Sequence, residues 1–307
     1  MEDYPRNLLE FEERFATEEA CRRYLSALRW PGGFRCPRCE GQEAWTTRRG
    51  LFQCKRCGFR VSPTAGTLFQ DTRKPLRVWF RAIWQVTSQK HGVSALGLQR
   101  ALGLGSYRTA WFWLHRLRRA MVRPGRDRLN GRVQVDEAYV GGEQPGVPGR
   151  GALGKSLVFV AVELAEENRI GRIRLLCIED ASMMTLHDAI WACVEPGSTI
   201  QTDGWAGYNN LDMVGYDQEV IRPSRKRDKN LLPAVHRVVS LLKRWLLGTH
   251  HGAIRPSHLD YYLDEFTFRF NRRTSRSRGK LFYRLVQQAV QIEPIPGHMI
   301  AGRKAKA

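Results

Sequence analysis

The amino-acid sequence predicts an α/β domain with a mixed β-sheet, preceded by a small cysteine-rich module and a block of helices. Two C-x-x-C pairs lie within residues 36–57, and apolar residues recur at helical spacing over residues 75–122. After residue 130, β-branched runs alternate with a helical stretch. The period of apolar positions separates helices from strands, and 307 residues are enough for two or three small domains.

The composition indicates a polyanionic partner. The chain has 50 Lys and Arg residues against 30 Asp and Glu residues, which gives a formal charge of +20. This balance favours nucleic acid over a membrane surface. No apolar run reaches the roughly 18 residues of a membrane span. The acidic start Met1-Glu2-Asp3-Tyr4 lacks the apolar segment of a secretory signal. We therefore expect a cytoplasmic, nucleoid-associated protein.

Residues 1–30 predict two short helices, and residues 31–68 predict a zinc ribbon. Each C-x-x-C turn directs two thiolates at one ion, and two such turns complete a closed tetrahedral zinc site. In a reducing compartment this spacing favours a metal over disulfides. The four expected ligands are Cys36, Cys39, Cys54 and Cys57. The basic residues of the ribbon loops either contact phosphates or form a solvated face.

Residues 72–122 predict a helical domain with helix-turn-helix spacing. A short helix after Gly92 is followed by a Gly-rich turn and by a longer helix that begins after Ser106. Tyr107 and Arg108 lie at the start of this longer helix, where helices of such motifs contact base edges. The alternative is a three-helix bundle that makes no DNA contacts.

Residues 130–290 predict the mixed sheet, as a ribonuclease-H-like catalytic domain. Three strands, a helix capped by Ser182 and a further strand follow one another, which is the strand and helix order of that fold. The first strand and the strand after the helix would then lie side by side. The predicted strands are 131–140, 157–164, 172–178 and 198–202, with one more near Glu219.

Two of these neighbouring strands lead into an aspartate. The first strand runs through Val135 to Asp136, and the strand after the helix runs through Thr202 to Asp203. Carboxylates are the ligands of hard divalent cations such as Mg²⁺, so the pair predicts a metal site. In a strongly basic chain, the substrate of such a cation is a phosphodiester. The alternative for either aspartate alone is a turn residue.

The last part of the chain adds cations and amphipathic helices. Arg225, Lys226 and Arg227 lie in its densest charge run, which either contacts the DNA backbone or is a solvated loop. A helix over residues 231–248, ended by Gly248, would place His236 and Lys243 on one face. Further helices are expected near residues 259–273 and 281–286, followed by a basic disordered tail over residues 291–307.

Several motifs of this sequence resemble a known family. They are the zinc ribbon, Val-Asp-Glu-Ala-Tyr-Val-Gly-Gly at residues 135–142, Thr-Asp-Gly-Trp-Ala-Gly-Tyr at residues 202–208, and the segments around His236 and Glu265. Over nearly all of residues 10–290 the chain resembles bacterial insertion-sequence transposases of the DDE type that carry an N-terminal zinc ribbon. The resemblance implies cleavage of DNA at the element ends and strand transfer into target DNA.

The resemblance also implies roles for individual residues. Asp136 and Asp203 correspond to the first two catalytic carboxylates, which hold Mg²⁺ or Mn²⁺. The family places an acid seven residues before a basic residue, and here His236 stands seven residues before Lys243. Glu265, with Arg269 four residues later, is the alternative third residue. Lys243 would face the DNA, and at least a dimer would handle two DNA ends.

Two other functions are compatible with parts of the sequence. A zinc-ribbon and helix-turn-helix regulator would bind DNA without chemistry, but it leaves the two strand-end aspartates unexplained. A ribonuclease-H-like nuclease would have the same catalytic residues and would hydrolyse nucleic acid without strand transfer. A transposase copy that has lost its activity is a further possibility, because His236 is atypical as a third residue.

Overall fold

The computed structural model describes residues 2–123, 125–141, 155–222, 230–252 and 254–300. Contacts divide the chain into two compact units, which are Met1–Arg123 with Ser275–Ala307, and Pro124–Thr274. Over these described ranges, no helix is both long enough and apolar enough to cross a membrane.

The first unit begins with two helices and the zinc ribbon. Thr17 and Asn7 cap the two helices, each by accepting a hydrogen bond from a backbone amide of the first turn. The ribbon is an antiparallel sheet of order β1-β2-β3, and its third strand was not expected from the sequence. These elements are α1 Leu8–Arg14, α2 Glu18–Arg29, β1 Ala44–Thr46, β2 Phe52–Cys54 and β3 Arg60–Val61.

Five further helices contribute to this unit within the residues that the structure describes. Phe282 is fully buried, and its ring contacts the rings of Phe11, Phe15 and Phe80, which ties the C-terminal segment to the N-terminal helices. Trp79 and Trp113 stack with ring centroids 3.6 Å apart. The helices are α3 Leu76–Ser88, α4 Ala95–Leu102, α5 Tyr107–Ala120, α9 Arg278–Ala289 and α10 Gly297–Ile300.

The second unit contains a five-stranded mixed sheet of order β6-β5-β4-β7-β8. Strands β4, β5 and β6 are antiparallel neighbours, whereas β7 and β8 run parallel to β4. This is the ribonuclease-H-like order that the sequence predicts. The strands are β4 Arg132–Val140, β5 Ser156–Leu164, β6 Ile170–Ile178, β7 Thr199–Thr202 and β8 Asp217–Val220, and the helices are α6 Met183–Cys193, α7 Pro233–His250 and α8 Leu259–Phe270.

Helices cover both faces of this sheet. Val133 and Val135 of β4 pack in one core with α6, and Val140 packs in the other core with α7 and α8. Since side chains alternate along a strand, Gln134 and Asp136 point to the α7 face and Glu137 points to the α6 face. The two faces of β4 therefore carry different polar side chains.

Besides strand β3, the structure differs from the expected elements at three places. The helix expected to end at Gly248 continues to His250, and its C-cap His251 has a left-handed φ of 52° that closes the last turn. Residues 275–290 were expected in the catalytic domain, but they belong to the first unit. Within the expected disordered tail, Gly297–Ile300 forms a helical turn in which Ile300 is 1% exposed.

Candidate active site

The sheet register brings Asp136 and Asp203 to the same level and the same face of the sheet. Asp203 follows the end of β7 as expected, whereas Asp136 lies in the middle of β4, because that strand continues to Val140. Gln134 of β4 pairs with Gln201 of β7, and Asp136 and Asp203 each follow two residues later. The pKa of Asp136 is raised to about 6, chiefly by burial. The charges of Glu137 and Asp203 add to this rise, whereas the amide of Glu137 and the imidazole of His236 oppose it. The sheet therefore holds two carboxylates whose mutual repulsion a cation would relieve.

His236 lies in the first turn of α7 and faces the carboxylate of Asp136. Its Nε2 is 3.5 Å from Asp136 Oδ2, and its Nδ1 is 2.6 Å from Asn230 Oδ1. Because the Asn230 oxygen only accepts, Nδ1 is the ring atom that donates, and Nε2 keeps its lone pair when the ring is neutral. A carboxylate oxygen and an imidazole nitrogen at this spacing form a donor set that fits a divalent cation.

Glu265 lies in a different environment. It is 2% exposed, and its Oε1 accepts hydrogen bonds from Nε and Nη2 of Arg269 at 2.9 and 2.7 Å. Helix α8, which carries it, packs against β6 at the sheet edge away from β7. The structure therefore brings His236, and not Glu265, beside Asp136.

The expected DNA-contacting residues are distributed over both units. Lys243 is exposed on α7, two turns after His236. Tyr107 is 54% exposed in the first turn of α5, and the guanidinium of Arg108 in the same turn lies over the Phe112 ring. Four residues separate α4 from α5, but the helix-turn-helix assignment remains a prediction. Arg225, Lys226 and Arg227 lie outside the described residues.

The turn after Asp203 is fixed by the side chains of its own motif. The Trp205 backbone amide donates to Asp203 Oδ1 at 2.9 Å, and the Trp205 indole donates to the Ala181 carbonyl at 3.0 Å. A Cβ at Gly207 would lie 2.7 Å from the Ala181 oxygen, so this position requires glycine. These contacts hold the carboxylate of Asp203 at the end of β7.

Glu137 is a polar residue of this region that the sequence did not single out. The buried Tyr208 hydroxyl donates to Glu137 Oε2 at 2.8 Å, and burial together with this carboxylate raises the pKa of Tyr208. The signal was present, because Glu137 and Tyr208 belong to the two motifs that also contain the aspartates. Asn230, the partner of His236, gave no pattern from which its role could be recognised.

The ribbon cysteines form a compact group of four thiols. Their Sγ atoms all lie within 4.8 Å of one another, and the Cys36–Cys57 and Cys39–Cys54 pairs are each 3.6 Å apart. Tetrahedral zinc with Zn–S bonds of about 2.3 Å requires sulfur atoms about 3.8 Å apart. The residues therefore fit a structural zinc ion, as predicted. Within the described ranges this is the one group of at least three candidate metal ligands so close together.

Two family models match different parts of the chain. Residues 128–271 match the family model of the ISXO2-like transposase domain, and residues 16–60 match that of the transposase zinc-ribbon domain. The chain is 26% identical over 296 residues to an uncharacterized protein in transposable element ISH50 of Halobacterium salinarum, which covers 87% of this chain and 94% of the relative.

Similarity to solved structures is lower. The catalytic core domain of BIV integrase is 15% identical with a TM-score of 0.29, covering 44% of this chain and 81% of that one. A simian T-cell lymphotropic virus intasome in complex with PP2A regulatory subunit B56 gamma is 16% identical with a TM-score of 0.29, covering 59% and 66%. The strand order of the sheet, and not these superpositions, defines the fold.

Proposed function

We propose that the chain, with its zinc ribbon and ISXO2-like transposase domain, is an insertion-sequence DNA transposase. Asp136, Asp203 and His236 would form its catalytic site. The observation that carries the assignment is the approach of His236 Nε2 to Asp136 Oδ2 at 3.5 Å, on the sheet face that Asp203 shares by register. Glu265 is instead engaged by Arg269 in a buried ion pair.

The three side chains would hold Mg²⁺ or Mn²⁺ through two carboxylates and the imidazole Nε2. A bound divalent cation lowers the pKa of water and stabilises the leaving oxygen of a phosphodiester. Asn230 keeps the His236 proton on Nδ1 and thereby directs the Nε2 lone pair toward the site. The Glu137–Tyr208 hydrogen bond anchors the other face of the same strand.

The proposed reaction has two steps that balance without a further reactant. Water attacks phosphorus at the element end and the P–O3′ bond breaks, which leaves a free 3′-hydroxyl. That hydroxyl then attacks a target phosphodiester, forming one P–O bond and releasing one target 3′-hydroxyl. Lys243 and residues 225–227 would neutralise backbone charge, and Tyr107 and Arg108 would contact base edges. The reaction would take place at the nucleoid, in the cytoplasm.

The isosteric substitutions Asp136→Asn and Asp203→Asn test this proposal. Each removes one negative charge from the site and should abolish both end cleavage and the joining of pre-cut ends. DNA binding, measured by the mobility of a labelled duplex, should be retained. Cleavage at the wild-type rate by either variant would exclude that aspartate. A wild-type protein that hydrolyses DNA but never joins ends would be a nuclease.

A further inference from the structure

A row of side-chain amides connects the elements that carry the proposed site. The Ala234 backbone amide of α7 donates to Gln134 Oε1 at 3.1 Å. Gln134 Nε2 donates to Gln201 Oε1 at 3.1 Å, and Gln201 Nε2 donates to Glu219 Oε2 at 2.8 Å. We call the two amides of Gln134 and Gln201, together with the carboxylate of Glu219 at their end, the amide ladder. It joins α7, β4, β7 and β8.

The chemistry at its two ends fixes the direction of the ladder. The Ala234 N–H can only donate, so it selects the oxygen of Gln134 and turns the amide nitrogen toward Gln201. The Glu219 carboxylate accepts, so it selects the nitrogen of Gln201. Gln134 and Gln201 are 7% and 3% exposed, and an unsatisfied amide at that burial costs about 1–3 kcal/mol. Each amide therefore has one favourable orientation.

On β4, β7 and α7 alike, the residue that belongs to or contacts the amide ladder lies two positions before the proposed catalytic residue. Gln134 precedes Asp136 by two residues, Gln201 precedes Asp203 by two, and Ala234 precedes His236 by two. The N-cap of α7, Leu232, has no capping side chain, so the bond from Ala234 to Gln134 supplies the cap from the sheet. The first turn of α7 is thereby tied directly to the central strands.

Resting on the proposed function, we propose that Gln134 and Gln201 are positioning residues that hold the first turn of α7 in register with β4 and β7, so that His236 faces Asp136 on the sheet face that Asp203 shares. They contact neither the substrate nor the cation. Their effect is to set the separation of the three ligands, in the way that outer hydrogen-bond partners set the geometry of a metal site.

Gln134→Met and Gln201→Met separate the two links of the ladder. Methionine keeps the length of the side chain and removes its hydrogen bonds. Gln134→Met breaks both the helix link and the strand link, whereas Gln201→Met leaves the Ala234–Gln134 bond intact. We expect Gln134→Met to weaken Mn²⁺ binding, measured by electron paramagnetic resonance, by about tenfold or more, and Gln201→Met to weaken it less.

Glu219 offers a matched pair at the half-exposed end of the ladder. Glu219→Gln keeps an oxygen that accepts from Gln201 and should bind Mn²⁺ as the wild type does, whereas Glu219→Leu should bind it more weakly. The pair keeps the test valid if Gln134→Met fails to fold. Equal Mn²⁺ binding by Glu219→Leu, Gln201→Met and the wild type would overturn the proposal. Because binding is read without DNA, wild-type Mn²⁺ binding without strand transfer would contradict only the proposed function.

A second inference arises from a basic groove in the first unit. Its cationic lining consists of Arg22, Arg49, Arg73, Lys74 and Arg77, all exposed. The one acidic residue of the lining, Glu18, accepts from the amides of Leu76 and Arg77 at 2.9 and 3.2 Å and caps α3. The groove therefore has five positively charged side chains, and its one carboxylate already accepts hydrogen bonds from the first turn of α3.

Short contacts join the walls of this groove. Arg22 of α2 donates to the Arg49 carbonyl of the ribbon turn at 3.3 Å. A Cβ at Gly50 would lie 2.5 Å from Arg22 Nη1, so the glycine allows this close approach. Independently of the amide ladder, we infer that the groove binds the phosphate backbone of duplex DNA, with the ribbon fixing its outer wall.

Arg77 and Arg81 provide a matched comparison on α3. Arg77 lines the groove, whereas Arg81, one turn later, pairs with Glu12 at 3.3 Å. A plot of log affinity against log salt concentration has a negative slope. The triple variant Arg73→Gln, Lys74→Gln, Arg77→Gln should reduce the magnitude of that slope by about 0.9 per lost phosphate contact. Arg81→Gln should leave that slope unchanged, with a short fluorescent duplex as the probe. An unchanged slope for the triple variant would contradict DNA binding by the groove, whether or not the variant is catalytically active.

Discussion

At the residue scale, our proposal of His236 as the third residue of the site rests on what each candidate already contacts. The exposed His236 has one ring nitrogen on Asn230 and the other directed at Asp136. Glu265 is buried with both of its described hydrogen bonds from Arg269. Binding a cation would require Glu265 to leave a buried ion pair, which is costly. Burial and partners thus separate two residues that look equally suitable in the sequence.

We predict opposite phenotypes for His236→Ala and Glu265→Ala. The first should abolish DNA cleavage while the melting temperature stays within a few degrees of the wild type, because the side chain is 45% exposed. The second should destabilise the fold by about 3–5 kcal/mol, because it leaves the Arg269 charge buried without this partner. Thermal unfolding and metal-dependent cleavage, measured on both variants, check the pair. Full activity of His236→Ala would contradict the assignment.

Asp264, which lies outside the proposed site, makes the free energy of unfolding depend on pH. Its pKa is raised to about 7 from the ordinary 3.8, first by burial and then by Asp260, with Arg126 opposing. The folded state therefore holds a proton that the unfolded state has lost, and stability falls as the pH rises from 3.8 to about 7. Asp264→Asn should thus stabilise the protein more near pH 8 than near pH 5, by about 1–3 kcal/mol. Denaturant unfolding at both pH values measures the difference, and equal effects would exclude this linkage.

Local sequence patterns predicted some residues of the proposed site and missed others. Asp136 and Asp203 end β-branched runs, and His236 stands at a fixed spacing from Lys243, so local patterns predicted all three as candidates. The amide ladder was missed because a glutamine that alternates with apolar residues looks like a solvent-facing strand position. Its burial depends on α7, a contact between residues 100 positions apart that no local pattern contains.

At the element scale, the sequence predicted most helices and strands but not all of their partners. The sheet of the second unit was predicted in order because three of its strands, β4, β5 and β6, have nine residues each and are rich in β-branched residues. The ribbon strand β3 was missed because it has two residues. Helix α9 was correctly expected near residues 281–286, yet its Phe282 packs among aromatic rings of the first unit. An amphipathic helix shows which face it buries, but not against which core.

The ribbon gives a prediction at this scale. Cys54→Ser should release zinc and weaken DNA binding, because a ribbon with three short strands has little core to stabilise it without the metal. Zinc content by mass spectrometry and duplex binding measure the two effects. Cys193→Ser is the matched control, since Cys193 is buried in the second unit and belongs to no group of four thiols. Full zinc retention by Cys54→Ser would contradict a four-cysteine site.

At the scale of the whole molecule, charge and chemistry serve the same substrate. A formal charge of +20 favours binding to any duplex, which supplies affinity without sequence preference. The site chemistry is equally indifferent to sequence, because it acts on a phosphodiester. We therefore predict that base contacts of Tyr107 and Arg108 contribute to recognition of the element ends. Their substitution should reduce preference for the ends more than overall affinity.

Joining two element ends to one target requires two active sites in one assembly, and we therefore predict that the functional unit is at least a dimer. Equal mixing of the wild type with Asp136→Asn should reduce strand transfer to about a quarter if both subunits must be active, but only to about half for a monomer. The mixture must be assembled with DNA ends in excess, so that the inactive protein cannot compete for them. A value of about half at every total concentration would exclude the shared assembly, because each subunit would then act alone on its own DNA end.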